Sequence, residues 1–476
     1  KQAVIFTTRD VLSKISNRQY MLINLLEGPL LALILAFITK YKSAPGGAEY
    51  SFRYNENYPA FLLMTIIVAL FMGLTVSAEE IIRDRKILKR ESFLNLSWNS
   101  YLVSKLTILF VMSAIQTLCF AIVSHLILEI EWAMLLPFWL VLFSASCMAN
   151  VLGLNISSAF NSAVTVYILI PLLLIPQMIL SGLLFSFDKL NSAISTKGKV
   201  PLVADIMASR WAYEALAVYQ FKNNAFEKPF YIHDKIEAES DYKSSFFVDK
   251  LNDKRRFVAD HHQSADNEKV QRAADALELI RKSLKDEPYK AGMENIDFHT
   301  PWTLQMFTPA FENALAVYLE NFRKKYLDQY NTIVARKEND ILQLQNKGTY
   351  QVLEFKNRYY NEDMADLVKN VNTKERILEY NGELIQQINP IFHDPRPTGL
   401  LNYRAHFFAP TKNFLGMRFD TYWFNLGVIW VFTLLFYILL YTEALRKFLK
   451  LFSKVPLPQV AIPRVQMPKI PFPKKK

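Results

Sequence analysis

The chain has 476 residues, half of them apolar, 14% aromatic and only 21% charged, with a net charge of +11. A soluble protein of this length would carry more charge. A nucleic-acid protein would concentrate its basic excess in its polar part. Here residues 186–418 balance 33 Lys and Arg against 32 Asp and Glu, so nearly all of the excess lies in the short flanks of apolar segments. That is the distribution the positive-inside rule predicts. The only cysteines, Cys119 and Cys147, fall inside apolar segments, so no disulfide frames the polar region.

In chain order, residues 1–20 read as an amphipathic helix with Val4, Val11 and Ile15 on one face and Arg9, Asp10 and Lys14 elsewhere. Such a helix lies along an inner membrane surface or simply extends the first span. Six stretches have the length and apolarity of a transmembrane helix: Met21–Thr39, Pro59–Ala78, Leu102–Leu128, Ala133–Gly153, Ala163–Phe187 and Phe419–Tyr441. Basic residues gather before the first span, between the second and third, and after the sixth. All three places share one side, the expected cytoplasm. The region 188–418 is then extracytoplasmic, periplasmic in a Gram-negative cell. The expected architecture is mainly α: spans one to five over 21–187 with a cytoplasmic loop at 79–101, an external domain over 188–418, a sixth span over 419–445 and a basic proline-rich tail over 446–476.

Within the external region, Val270, Ala274, Leu277 and Leu284 recur at helical spacing, as do Leu315, Leu319, Phe322, Tyr326, Ile333 and Ile341. The second run, roughly Phe311 to Gln345, predicts a long helical arm or hairpin, about 50 Å at 1.5 Å per residue, reaching toward another envelope component. Little strand alternation is visible. In the tail Pro458, Pro463, Pro468 and Pro473 recur every five residues before Lys474–Lys476. Proline at that density excludes helix and leaves either an extended docked segment or a basic tail near anionic lipid.

Phosphate-cradling, zinc-protease and nucleophile-elbow motifs are missing from the sequence, so no catalytic residue, metal or cofactor is assigned to this chain. His261-His262, on a polar segment, reads as solvated surface. Glu27, followed by Gly28-Pro29, is a carboxylate on a spanning helix, either turned into the bundle or shallow at the headgroups. Pro171, Pro176 and Gln177 give the fifth span a kink that lines a cavity or packs in the bundle.

Three motifs together resemble the membrane domains of G-type ABC transporters (ABC-2 permeases, type V exporters). Glu79-Glu80-Ile-Ile-Arg-Asp-Arg85-Lys-Ile-Leu-Lys-Arg90-Glu91 closes span two, with Tyr101, Ser104 and Lys105 opening span three; Ser181-Gly182-Leu183-Leu184 ends span five; Ser209-Arg210-Trp211-Ala-Tyr213-Glu214-Ala-Leu216 follows. The resemblance covers roughly residues 1–224 and 400–454, interrupted by an inserted helical module at about 225–410. It implies a coupling helix that touches an ATPase through Arg85, Lys86, Lys89, Arg90, Glu91, Phe93 and Leu94. It implies a gate at Leu183 and Leu184, and a dimer whose cavity lies between spans two and five of both copies. Phe71, Met72, Thr75, Pro171, Pro176 and Gln177 are the cavity candidates. ATP and Mg would sit on an ATPase domain, upstream of Lys1 or on a separate chain. The expected function is export of a hydrophobic or amphipathic substrate from a homodimer or related half-transporter in the plasma membrane. The rivals are a mechanotransmission complex that moves the external domain, and a non-transporting envelope scaffold.

Overall fold

The computed structural model describes residues 2–41, 50–90, 97–195, 197–289, 297–346, 352–396, 399–400 and 402–452. Glu91, Phe93, Leu94 and the proline-rich tail lie outside the described residues. The chain is mainly helical. α1 (Gln2–Ser16) leads into α2 (Arg18–Thr39), and α3 (Tyr58–Ala78) is followed after Glu79 by α4 (Glu80–Arg90). α5 (Trp98–Leu128), α6 (Leu135–Ala159) and α7 (Ala163–Ile179) complete the first half. Two short helices follow, α8 (Leu202–Asp205) and α9 (Ala208–Asn223).

Five helical runs among the described residues are long and apolar enough to cross a membrane: α2, α3 with α4, α5, α6 with its leading turn, and a helix α16 that starts at Thr421, described below. α7 is a shorter apolar helix. The expected fifth span ran to Phe187, but the helix stops at Ile179 after 17 residues. Pro171 and Pro176 each remove a backbone donor, and Gly182 then turns the chain at φ +91°. A Cβ on Gly182 would fall 2.6 Å from the Phe407 ring, so glycine is required both by conformation and by space. Seventeen residues still reach the lower bound for a span.

The bundle is held by close approach and by polar contacts between helices. A Cβ on Gly28 would lie 2.7 Å from the Gln116 carbonyl, so α2 meets α5 backbone to backbone there. Gln116 Nε2 donates to the Asn24 carbonyl at 2.8 Å. Between α5 and α6, Asn150 Nδ2 and Ser146 Oγ donate to Ser113 Oγ at 2.7 and 2.9 Å. Glu27, next to Gly28 on α2, is half-buried.

The insertion folds as a helical bundle of its own. It comprises α10 (Tyr231–Asp241), a π-helical turn at Tyr242–Phe247, α11 (Val248–His261), α12 (Asn267–Lys285) and α13 (Pro309–Asn346), 38 residues long. Leu315, Tyr318, Leu319 and Phe322 of α13 are fully buried against Val248, Leu251, Leu277 and Ile280. The long helix therefore exists where its periodicity places it, but it is not a free arm. Its first half packs on its neighbours, and its C-terminal part returns to α10, where Lys337 bridges Asp234. α14 (Val352–Tyr359) and α15 (Glu362–Lys369) follow.

Two hairpins were not foreseen: β1 (Ile377–Tyr380) with β2 (Glu383–Gln386), and β3 (Thr411–Phe414) with β4 (Met417–Asp420), both antiparallel. Their turns, Asn381-Gly382 and Leu415-Gly416, have positive φ at both residues, the twist two-residue hairpins favour. β4 feeds directly into α16 (Thr421–Tyr441), and α17 (Ala444–Phe452) follows it.

Candidate functional site

Two polar constellations sit at opposite ends of the apolar helices. At the α4 end, Glu80 is 2% exposed yet takes three cations. Lys14 Nζ of α1 lies 2.6 Å away, Lys105 Nζ of α5 2.9 Å and Arg83 3.0 Å. Lys105 also reaches Asp10 at 3.0 Å and Asp84 at 2.8 Å. Tyr101 donates its hydroxyl to Asp84 at 3.0 Å. Three carboxylates and three cations from α1, α4 and α5 thus compensate one another. Removing one member of such a cluster costs up to about 3–5 kcal/mol where it strands a buried charge, and less where the charge left behind keeps another partner.

α4 is also clamped to the end of α6. Ser157 Oγ accepts from the Ile81 and Ile82 amides at 3.1 and 3.2 Å, satisfying two orphan donors of the α4 N-terminus. In return Arg85 donates to the carbonyls of Ser157 and Ser158 at 3.1 and 2.7 Å, and to Asn161, at the negative end of α6. Of the predicted contact residues, Arg85 is thus turned inward. Lys86, Lys89 and Arg90 are exposed, with Ile87 between them, and form an outward basic face carrying one apolar residue. α1 lies against α5 through Phe6 and Tyr101, while Val4, Ile5, Leu12 and Ile15 point away from the protein. Lys14 is buried and Asp10 half-buried while these four apolar residues are exposed, the reverse of a helix docked in water.

Along the bundle, α3 exposes Phe71 and half-exposes Thr75, and α7, which packs against α3, exposes Pro171, Leu172 and Ile175. Met72 does not join them: it is 1% exposed, buried within the bundle core. Gln177 is used structurally. Its side-chain oxygen and carbonyl accept from the amide and hydroxyl of Ser209 at 2.9 and 2.6 Å, fixing the start of α9. Leu183 is partly buried against the core and Leu184 is 48% exposed.

At the other end, Glu214 of α9 is fully buried. It accepts from Lys412 Nζ at 2.7 Å, Asn425 Nδ2 at 2.9 Å and the Phe408 amide at 3.2 Å, with Arg210 3.4 Å away. Burial raises its pKa, but Lys412 and Arg210 together outweigh that and hold the carboxyl below its ordinary value. A separate latch joins the segment before α3 to the insertion. Asn361 caps α15 by accepting from the Met364 amide at 2.8 Å. The same side chain donates to the Phe52 and Asn55 carbonyls at 2.8 and 3.0 Å, and Arg53 pairs with Glu362 at 2.5 Å.

Residues 1–221 match the ABC-2 type transporter family. The match covers a little under half of the chain, and the rest lies beyond it. No protein of curated function matches the chain. The ABC-2 part contains the whole α4-end cluster, and Glu214 but not its partner Lys412.

Sequence reasoning did not assign a role to Asp10, Lys14, Glu80, Asp84 or Lys105. A signal existed: Lys105 is the lone charge inside a long apolar run, and a buried cation needs partners. Which carboxylates supply them depends on α1 folding back against α5, which local periodicity does not encode.

Proposed function

We propose that this chain is the membrane-spanning permease of an ATP-driven ABC exporter, moving a hydrophobic or amphipathic substrate outward through a pair of such chains. The observation that carries the reading is the closed charge cluster of Asp10, Lys14, Glu80, Asp84 and Lys105 beneath a basic α4 face. An ATPase pressing on that face would move α4 together with α1 and α5, because their shared charges cannot separate without stranding one another. The α4 end is the cytoplasmic one by its basic flanks, and α1 lies in the inner headgroup layer with its exposed apolar residues in lipid. α7 makes a sixth crossing, and the insertion is extracytoplasmic. The apolar faces of α3 and α7 meet a second copy and enclose a cavity lined by Phe71, Thr75 and Pro171. Leu183 and Leu184 close it at the outer end, where a dry leucine constriction resists wetting.

The test is coexpression with its ATPase partner, reconstitution, and measurement of substrate-stimulated ATP hydrolysis together with export. The reading requires both activities, and replacement of Lys86 and Arg90 by Glu should separate them. Hydrolysis without any export, accompanied by movement of the insertion, selects a second reading. There the output is mechanical. The latch favours it, since α3 runs from α4 at one end to the Phe52–Asn361 contact with the insertion at the other.

A further inference from the structure

Where the insertion meets α9, a cavity of about 290 Å³ lies among Phe226, Glu227, Phe230, Lys356, Tyr360 and Lys369, closed on the far side by Asp234, Lys337 and Ile341. Small-molecule sites begin at about this size. Glu227 is 1% exposed, and its Oε1 has no hydrogen-bond partner. An unpartnered polar atom aimed into a cavity is costly unless something fills it.

The charges around it are unequally matched. Lys337 is satisfied by Asp234 and Glu237. Among the described residues the one carboxylate within 4.0 Å of Lys356 is Glu362, at 3.7 Å. Among the described residues Lys369 has no carboxylate within 4.0 Å; its ammonium donates to Tyr360 Oη at 3.3 Å and lies over the Phe221 ring, 5.2 Å from the centroid. Two cations therefore converge on the cavity with less negative charge than they could use. Phe226, Phe230 and Tyr360 supply an apolar wall beside them. We propose that this cavity binds the anionic group, carboxylate or phosphate, of an amphipathic molecule, held by Lys369 and Lys356, with the Glu227 carboxyl donating a hydrogen bond and the aromatic wall taking the apolar part.

The titration of Glu227 fits that role. The groups facing it are Asp234 of α10, Lys337 of α13, Lys369 of α15, and Tyr360. Burial first, then Asp234, push its carboxyl up to about 8, against the opposing pull of Lys369 and Lys337. Raised in this way, the carboxyl keeps its proton to higher pH than an ordinary one, and a ligand in the cavity would share that proton with Asp234, which also hydrogen-bonds this side chain. Lys356 is displaced the other way: burial, then the neighbouring Arg53 cation, with Lys369 adding to it, hold its ammonium below the usual range. A cation cluster short of its anion behaves so.

The full chain in phosphatidylcholine nanodiscs would be titrated calorimetrically with octanoate, acetate and octylammonium. Octanoate keeps its charge between pH 7 and 9.5, so any change in its affinity reports the protein. The wild type should bind octanoate at pH 7 and lose about tenfold or more by pH 9.5. Glu227→Gln should keep the affinity at pH 7 and lose clearly less of it by pH 9.5 than the wild type, the remainder coming from Lys356. Lys369→Met should weaken binding about tenfold or more at an unchanged melting temperature, with Lys369→Arg restoring it. If Lys369→Met does not fold, Lys356→Met carries the same expectation. Acetate competing as well as octanoate would make the natural source a free anion, and octanoate alone would make it a lipid or other amphiphile. Octylammonium binding in preference, or octanoate binding unchanged in both lysine variants, would overturn the proposal. None of these readouts depends on whether the chain exports.

Discussion

The two ends of the apolar bundle both bury a glutamate against cations, yet they build the site differently. Glu214 is sealed by bonds of several kinds: a lysine from β3, an amide side chain from α16 and a backbone N–H. Nothing there can shift without leaving a donor or acceptor unpaired. Glu80 holds only flexible ammonium and guanidinium ends, from α1, α4 and α5, and the same lysine also touches two further carboxylates. Its partners can slide between acids while remaining paired. The first arrangement locks a junction; the second allows three helices to move together.

The largest expected effect tests the lock. Glu214→Ala strands Lys412 in the interior, leaves Arg210 with Asp205, 3.5 Å away, and should cost about 3–5 kcal/mol, read as loss of the folded fraction in detergent or a melting temperature lower by many degrees. Glu214→Gln keeps the shape and should recover part of the loss. Its pH dependence follows from the lowered pKa. The unfolded carboxyl binds a proton before the folded one does, so the stabilisation is complete above the unfolded value near 4.5 and is lost as pH falls through the lower folded value. Wild-type stability should therefore fall on acidification below pH 5 more steeply than that of Glu214→Gln. Equal slopes would mean that the junction is not held by charge.

Glu80→Gln should be milder in stability, because Lys105 keeps Asp10 and Asp84, Arg83 faces solvent in part, and Lys14 can still donate to the new amide oxygen and to the Tyr20 hydroxyl, 3.3 Å away. A loss of about 1–3 kcal/mol is expected, with faster hydrogen exchange in α1 and α4 while the insertion is unaffected. A variant as unstable as Glu214→Ala would erase the distinction between the two ends.

How far these features can be read from the sequence follows the same division. The spans of α2, α3, α5, α6 and α16 are legible because apolar length is a local property. The stripe Leu315–Leu319–Phe322 marks α13 correctly for the same reason. Its direction of travel is not local: whether a long helix projects or folds back depends on Lys337 finding Asp234, about a hundred residues earlier. The β1–β2 hairpin was legible through Asn381-Gly382 and was overlooked, since its strands are only four residues long. The family resemblance names Met72 with Phe71 and Thr75 as cavity candidates on span two, but a helix turns neighbours about 100° apart and Met72 is buried in the core.

Asn361→Ala tests the latch between the two regions. It removes one helix cap and two bonds to the segment before α3, and about 1–2 kcal/mol should be lost. The loss should be local: exchange should rise in α14, α15 and residues 51–57, while the melting of the apolar bundle stays in place. If the mechanical reading holds, this variant uncouples insertion movement from ATP hydrolysis. If export is the output, transport survives.

The smallest change in stability should come from the exposed basic face of α4. Lys86→Glu with Arg90→Glu alters surface positions, and such substitutions shift stability by about 0.5 kcal/mol or less. Their functional effect should be large for a reason that does not involve folding. The face is basic and carries Ile87 between its charges, so a partner that docks there must offer carboxylates around an apolar notch. Reversing two charges places like against like across that contact and slows association most at low salt. The double variant should therefore keep the wild-type melting temperature, bind its ATPase partner more weakly, and regain part of that binding as ionic strength rises and repulsion is screened. Unchanged partner binding at low salt would remove α4 as the contact and leave the charge cluster above it as a purely structural device.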